Sequence, residues 1–338
     1  MPQSLPSIDI VIPCWQEEQY IEKCVQSCLE QDYLGSCTVI VADGGSTDKT
    51  REILKKMAEQ FSKLNLVFHQ EKSTPISLNK GISAGQSDWV MILGAHSALP
   101  PNYVSQCVKN TMENHSIDCI GGWIQNHYHD TTAQVIGWAM SSPFGVGNAH
   151  FRTGRQKGFV DTVAFGMYRR EAIEQIGLFN EDLARNQDDE LNFRFSNAGY
   201  TLYLDPEIQC TYFVRSSWKK VSSQYFQYGL WKVYVNVLHQ QITTLRQLIP
   251  ALFVGYIIVS ALLCWAFPKL CSLWLMGWIA YLGIGTVAAL RKNVRHFYSI
   301  LFAFLILHLS YGLGYWKGIF QFLLLKQKPK SIHAAHNR

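Results

Sequence analysis

Residues 38–50 read TVIVADGGSTDKT. The β-branched run at 38–42 predicts a strand, and Asp43 follows at its tip. Gly44 and Gly45 let the backbone turn sharply. Ser46, Thr47 and Asp48 are then residues of the kind that open a helix. An acid at a strand tip can bind the ribose or base of a nucleotide through charge-assisted hydrogen bonds. The same letters also suit a plain strand-to-helix turn, and the GxGxxG of a dinucleotide site is missing.

The pattern repeats on both sides of this stretch. Strands are expected at 8–12, 64–69 and 89–93, and helices at 21–31, 49–63, 75–84 and 101–114. That alternation predicts a mostly parallel sheet with helices on both faces. Ligands of such sheets bind beyond the carboxyl ends of the strands, so the strand ends carry the chemistry. The first strand ends in IPCWQEE, residues 12–18. A second polar cluster, NQDDELN, occupies 186–192. Its three adjacent acids favour a helix N-terminus, yet they repel one another strongly unless something uses them.

Composition divides the chain. Of 338 residues, 48% are apolar and 16% charged, against about a quarter charged in ordinary soluble domains. The 13% of aromatic residues excludes low-complexity disorder. The net charge of +5 conceals −9 over residues 1–207 and +14 over 208–338, where no acid occurs. Such asymmetry points to a membrane or polyanion partner for the second half.

Uncharged apolar runs at 248–267, 270–290 and 297–316 each approach the ~20 residues that span a bilayer. Arg291, Lys292, Arg295 and His296 between the last two make that link the cytoplasmic one. Three spans are expected, although a third would carry Lys326, Lys328, Lys330 and Arg338 outside. Gly312, Gly314 and Gly318 offer the alternative of breaking the segment, so that 316–325 returns along the inner surface. Residues 218–239 predict an amphipathic helix, either interfacial or packed on the soluble domain. The expected divisions are a catalytic domain at 1–215, an interfacial region at 216–246, membrane helices at 247–325 and a basic tail at 326–338. Residues 1–8 hold no apolar core for a signal peptide, which places the first half in the cytoplasm. Nine cysteines without a CxxC pair predict reduced thiols, with neither a zinc site nor a disulfide framework.

Several motifs in fixed order carry a resemblance. IPCWQEE, VADGGSTDKT, the Asn79-Lys80-Gly81-Ile82 turn, a strand ending before ALPPNYV, and DTVAFGMYRREAIEQIGLFNEDLARNQDDELNFRF together resemble the family 2 inverting glycosyltransferases. They are most similar to the succinoglycan-type, ExoA-like exopolysaccharide branch, over roughly residues 8–232. The resemblance implies an α/β, GT-A nucleotide-sugar-binding domain with a mixed, mostly parallel sheet, followed by a C-terminal transmembrane helical region.

It also implies roles. Pro13 and Glu17 would lie under the nucleobase and ribose, Asp43 would bind uracil or ribose, and Asn79 would help hold the nucleotide. Leu78 stands where the family often has Arg. The metal motif Asp-any-Asp reads Gly94-Ala95-His96, so the first acid is missing and His96 becomes the ligand for Mn²⁺ or Mg²⁺. A ring nitrogen suits Mn²⁺ better than Mg²⁺. Asp188 aligns with the general base that takes the acceptor proton, with Asp189 and Glu190 orienting or capping. Asp161 would be the acceptor-side acid, and Gly166 would make room for substrate. Trp231 would also stand on the acceptor side; it lies in QYFQYGLWK, where processive relatives carry Gln-any-any-Arg-Trp, and the motif's absence implies addition of one sugar.

The implied activity is transfer of a hexose from a UDP-sugar to a polyprenyl-diphosphate-linked saccharide, in exopolysaccharide or cell-surface glycan synthesis. Membrane lipids are further partners, through Arg215, Lys219, Lys220 and Lys232, and nucleic acid is not one. The implied location is the bacterial inner membrane with the catalytic domain cytoplasmic. Two alternatives stand beside this: a polyprenyl-phosphate sugar transferase, or a catalytically impaired donor-binding protein, motivated by Gly94.

Overall fold

A computed structural model describes residues 4–154, 156–214 and 216–329. Packing divides them into two units. One comprises the chain up to Asn126 together with His150–Phe213, and the other His127–Ala149 and Val214–Lys328. His127–Ala149, which the sequence pattern assigned to the catalytic domain, therefore packs with the second unit.

The first unit is built on strands β1 (Ile8–Cys14), β2 (Cys37–Asp43), β3 (Leu64–Phe68), β4 (Trp89–Ile92), β5 (Ser97–Ala98), β6 (Cys119–His127), β7 (Gly158–Phe159), β8 (Met167–Arg169) and β9 (Leu202–Phe213). They form one mixed sheet in the order β3-β2-β1-β4-β8-β6-β9-β5, with β7 on β9. The pairs β1–β2, β1–β4 and β2–β3 are parallel. The pairs β4–β8, β6–β8, β5–β9 and β7–β9 are antiparallel.

Helices α1 (Ile21–Leu29), α2 (Thr50–Gln60), α3 (Thr74–Ser83) and α4 (Tyr103–Glu113) alternate with the first strands as the sequence pattern predicts. Alternation along each strand sorts the core onto two faces. Ile8, Ile10 and Ile12 of β1 join Val25, Leu54 and Val104 from α1, α2 and α4. Val11 joins Leu78 and Ile82 of α3 on the opposite face. On that face also lie Ile173 of α8 (Arg170–Gln175) and Phe195 of α9 (Gln187–Asn197). Each fully buried isoleucine contributes about 1.5–3 kcal/mol relative to exposure. One buried charge crosses this apolar frame. Asp9 accepts from Ser87 N at 2.9 Å and from Ser87 Oγ at 2.7 Å, and pairs with Arg170 at 2.6 Å. That network ties β1 to the strand beside it through the start of α8.

The second unit is helical. It contains α5 (Thr131–Met140), the single turn α6 (Pro143–Val146), α10 (Trp218–Leu238), α11 (Ile249–Ala266), α12 (Cys271–Lys292) and α13 (Phe297–Gly318); the single turn α7 (His150–Thr153) belongs to the first unit. Among the described residues, three segments are long and apolar enough to cross a membrane: Leu245–Ala266, Pro268–Lys292 and Phe297–Leu324.

Three expectations are corrected here. Gly312, Gly314 and Gly318 do not break α13, which continues into a π-helical turn at Ile319–Leu324. Their missing side chains instead admit neighbouring backbones: a Cβ at Gly314 would stand 2.0 Å from Phe226 O, and one at Gly318 2.7 Å from Leu230 O. Lys232 does not reach toward lipid phosphates. It is 1% exposed, and its ammonium donates to Thr244 Oγ1 at 3.2 Å. Finally, Cys264 and Cys271 form a disulfide, whereas Cys14, Cys24, Cys28, Cys37, Cys107, Cys119 and Cys210 are in no disulfide, as expected. Arg215, Lys330 and Arg338 lie outside the described residues.

Candidate active site

The parallel register brings the strand tips together. Cys14 pairs with Asp43, and Val11 with Ile92, so β1, β2 and β4 end on one edge. Gln16, at φ 58°, latches two of these tips. Its backbone N donates to Ser46 Oγ at 2.8 Å, and its Oε1 accepts from Thr47 N at 2.9 Å and Asp48 N at 3.1 Å. Pro13 sits inside β1 opposite Ala42.

Asp43 is fully buried at this corner. Arg51 pairs with it at 2.5 Å, and Ser46 N donates to it at 3.1 Å. Burial alone raises such a carboxyl, but the hydrogen bonds of Ser46 and Arg51 outweigh it and leave Asp43 below its ordinary value. Arg51 also donates to His69 O at 3.0 Å and lies over the Phe68 ring at 5.0 Å. It is a functional neighbour that the motif reading missed, although it follows DGGSTDKT directly.

Glu17 and His96 come together across the same edge. His96 Nδ1 lies 2.8 Å from Glu17 Oε2, at ion-pair distance but outside hydrogen-bond alignment. Glu17 is 3% exposed and Tyr20 packs edge-on against the His96 ring. Asn79 does not join them. Its amide donates to Phe179 O and Glu181 Oε1, both at 2.9 Å, and accepts from Phe179 N at 3.0 Å. The side chain is thus spent on clasping the 179–181 loop.

Among the described residues no three His, Cys, Asp or Glu converge as a self-sufficient metal cage. Glu17 and His96 nevertheless offer one oxygen and one nitrogen side by side. A carboxylate–imidazole pair suits Mn²⁺, and diphosphate oxygens commonly complete such a shell. Gly94 supplies nothing: a Cβ there would stand 3.2 Å from Phe165 Cε1, and Phe165 itself has φ 52°.

The second acid cluster reaches the same end by a different route. Ile92 N donates to Gly166 O at 3.0 Å, so the segment leading into β8 runs past the carboxyl end of β4. Asn192 of α9, buried at 0% exposure, donates to Thr162 Oγ1 at 2.9 Å and Val163 O at 3.2 Å. Tyr168 OH donates to Asn192 Oδ1 at 2.7 Å. This clamp draws the first turn of α9, with Asp188, toward the loop that carries Asp161.

The three acids of that turn part company. Asp188 faces solvent within surrounding protein, and this desolvation, with the charge of Asp189 added, pushes its carboxyl up to about 6. Glu190 is 1% exposed and locked to Arg194 at 2.7 Å. Arg194 in turn donates to Ile176 O and Leu178 O, at 2.5 and 2.6 Å. The i, i+4 spacing of Glu190 and Arg194 made that pair legible in the sequence. Asp161 is exposed. Trp231 belongs to the other unit, where it is 2% exposed and donates to Gln227 Oε1 at 3.2 Å.

Residues 9–177, half of the chain, match Glycosyl transferase family 2. The chain is 26% identical over 318 residues to the succinoglycan biosynthesis protein ExoA of Rhizobium meliloti (strain 1021), covering 93% of this chain and 95% of that one. It is 29% identical over 245 residues to a dolichyl N-acetyl-alpha-D-glucosaminyl phosphate 3-beta-D-2,3-diacetamido-2,3-dideoxy-beta-D-glucuronosyltransferase of Methanococcus voltae, covering 68% and 76%. The mannosyltransferase PcManGT from Pyrobaculum calidifontis, solved with GDP-Man and Mn²⁺, shares the fold at a TM-score of 0.61 and 17% identity, over 92% of this chain and 88% of that one. A mixed sheet with its acids gathered at one edge, and a family match spanning the strands that gather them, agree: the chain belongs to glycosyl transferase family 2 and is a glycosyltransferase of the GT-A fold.

Proposed function

We propose that this protein transfers a hexose from a nucleotide diphosphate sugar, UDP-linked, to a polyprenyl-diphosphate-linked saccharide at the cytoplasmic face of a bacterial inner membrane. The observation that carries the reading is the pairing of Glu17 with His96 beside the Asp43 corner at the carboxyl edge of one sheet, with Asn192 tying the helix of Asp188 to the loop at 162–163. The relatives in exopolysaccharide and dolichyl-linked glycan synthesis support the acceptor class, and the three apolar helices support its membrane setting.

In this reading the transfer is one inverting displacement. Asp188 takes the proton of the acceptor hydroxyl as its oxygen attacks the anomeric carbon, and the nucleoside diphosphate leaves. A carboxyl near 6 is ionised at neutral pH yet basic enough to accept that proton. Asn192 and the Glu190–Arg194 pair hold the helix start that presents it. Asp43, fixed as an anion by Arg51, orients the base or ribose, and Pro13 forms part of the floor. Glu17 and His96 would hold a divalent ion, whose charge would neutralise the leaving diphosphate. Asp161 would face the acceptor. Trp231, buried in the helical unit, supports the fold of that unit and has no role in this step.

Purified protein in detergent, given UDP-sugars, Mn²⁺ and lipid-linked saccharide, should release UDP and lengthen the lipid-linked product by one hexose in its mass spectrum. No UDP release with any donor, together with an Asp188→Asn variant indistinguishable from wild type, would reduce the protein to a donor-binding one. Transfer to bare undecaprenyl phosphate in place of lipid-linked sugar would favour the polyprenyl-phosphate transferase. For the ion, His96→Ala should weaken Mn²⁺ binding read by the spectrum of the free ion. Unchanged binding removes His96 from the site.

A further inference from the structure

The three apolar helices are not equivalent. α11 and α12 pair antiparallel: Phe253 stacks on Tyr281 at 4.3 Å, and Tyr256 OH donates to Leu273 O. The Cys264–Cys271 disulfide closes their far end. α13 meets this hairpin elsewhere. Leu301 packs where Gly285 has no side chain, Tyr281 OH and His308 Nδ1 share a hydrogen bond of 2.8 Å, and Trp316 donates to Ala251 O at 2.9 Å.

Those contacts define a crossing. From Leu301 to Trp316, α13 advances about 22 Å at 1.5 Å per residue. Its partners move only from the level of Gly285, four residues below the Phe253–Tyr281 pair, to that of Gly255, two above it. That is about 9 Å along the hairpin at the same rise. α13 therefore crosses near the hairpin's base at a steep angle and does not run along it.

Beyond the base, the hairpin is apolar all round and bare. Val259 is 56% exposed, Trp265 86%, and Met276 63%. α13 instead packs lengthwise and parallel against α10. Trp218 meets Phe302 at 5.4 Å, Ser222 bonds Ser310 at 2.8 Å, and Tyr234 meets Phe322 at 5.2 Å. Tyr298, Leu313 and Phe320 share its exposed outer side, with Phe302 and Trp316, each still about half exposed, bordering it where α13 meets its neighbours. If α13 crossed the bilayer, α10 would be drawn in beside it with the exposed Lys219 and Lys220, at roughly 2.5–3.5 kcal/mol per lysine at the bilayer centre.

We propose that only the α11–α12 hairpin crosses the bilayer, while α13 lies with α10 along the near face, its exposed outer side on the headgroup–acyl boundary. The C-terminal segment then returns to the side on which α11 begins, and Lys326 and Lys328 satisfy the positive-inside preference. The hairpin tip emerges on the far side. There Cys264 and Cys271 each give up a proton and together two electrons to a thiol–disulfide oxidoreductase of that compartment, which is left as its dithiol. The cysteines divide accordingly: those at the tip are bonded, and the other seven are free. The arrangement holds whatever the donor and acceptor prove to be.

The test uses the full chain with a C-terminal epitope tag, in right-side-out spheroplasts and in inverted membrane vesicles. Added protease should remove the tag only in inverted vesicles. Removal from spheroplasts means a third crossing and overturns the two-span arrangement. In parallel, acid-quenched protein is denatured and treated with a polyethylene-glycol maleimide. Seven adducts are expected without reductant and nine with it. Cys264→Ser/Cys271→Ser should give seven in both. Nine wild-type adducts without reductant overturn the oxidised tip.

Discussion

Two carboxylates, Asp43 at the tip of β2 and Asp188 in the first turn of α9, are treated in opposite ways. Asp43 is sealed from solvent, held by Arg51 and by the amide of Ser46, and kept below its ordinary value. Asp188 touches water yet is largely surrounded by protein, has Asp189 beside it, and rises to about 6. The first is an anion at any physiological pH and suits binding. The second is poised to exchange a proton and suits catalysis. Residue type is the same; the surroundings assign the work.

The sharpest way to break this contrast is Asp188→Asn. It removes the proposed base and keeps the shape, so turnover should fall by about 10²–10⁴-fold. In the wild type, activity should decline as pH drops below about 6, when Asp188 takes up its proton. The variant's residual activity should lack that limb. A full acid limb in Asp188→Asn would assign it to another group.

Next in size is Arg194→Ala, which removes the salt bridge of the buried Glu190 and frees the carbonyls of Ile176 and Leu178. Breaking a buried pair typically costs about 3–5 kcal/mol. Denaturant unfolding in detergent should show that loss, while Asp189→Asn should change stability by under about 1 kcal/mol. Equal effects of the two would mean that the acids of α9 are interchangeable.

Arg51→Ala tests the other corner and should cost about 1–3 kcal/mol, since Arg51 is partly exposed. The sign of the pH effect follows from the depressed Asp43. Its stabilisation is full above the unfolded-state value near 4 and is lost as pH falls through the lower folded value. The variant should lose less stability on acidification than the wild type does. An identical acid profile would separate Arg51 from Asp43.

The smallest expected effect is Asn79→Ala. Loss of the clasp on Phe179 and Glu181 should cost about 1–1.5 kcal/mol and leave donor affinity unchanged. A fall in donor affinity larger than the fall in stability would return Asn79 to the nucleotide.

Much of this was legible beforehand, and the reason is period. Strands β1 to β4 and the helices between them follow from β-branched runs and apolar spacing, which are local properties. So were the tip acid Asp43, the acid run at 188–190 and the apolar helices. The Asn79 clasp was not legible because a motif says nothing of which neighbour an amide will find. Here the neighbour is a loop a hundred residues away. The disulfide was missed because seven residues of separation is no recognised spacing; only the reversal at Phe267–Leu270 brings the two sulfurs together.

By itself, then, the sequence determined the kind of sheet, the acids at its edge and the split between an acidic half and a basic apolar one. All of these are written in nearest neighbours and short periods. The tertiary structure decided which acid is buried and which is wet, that Glu17 meets His96, and that one apolar helix crosses the base of the other two. Those outcomes depend on residues distant in the chain and on what each packed surface shuts out from water, which no local pattern records.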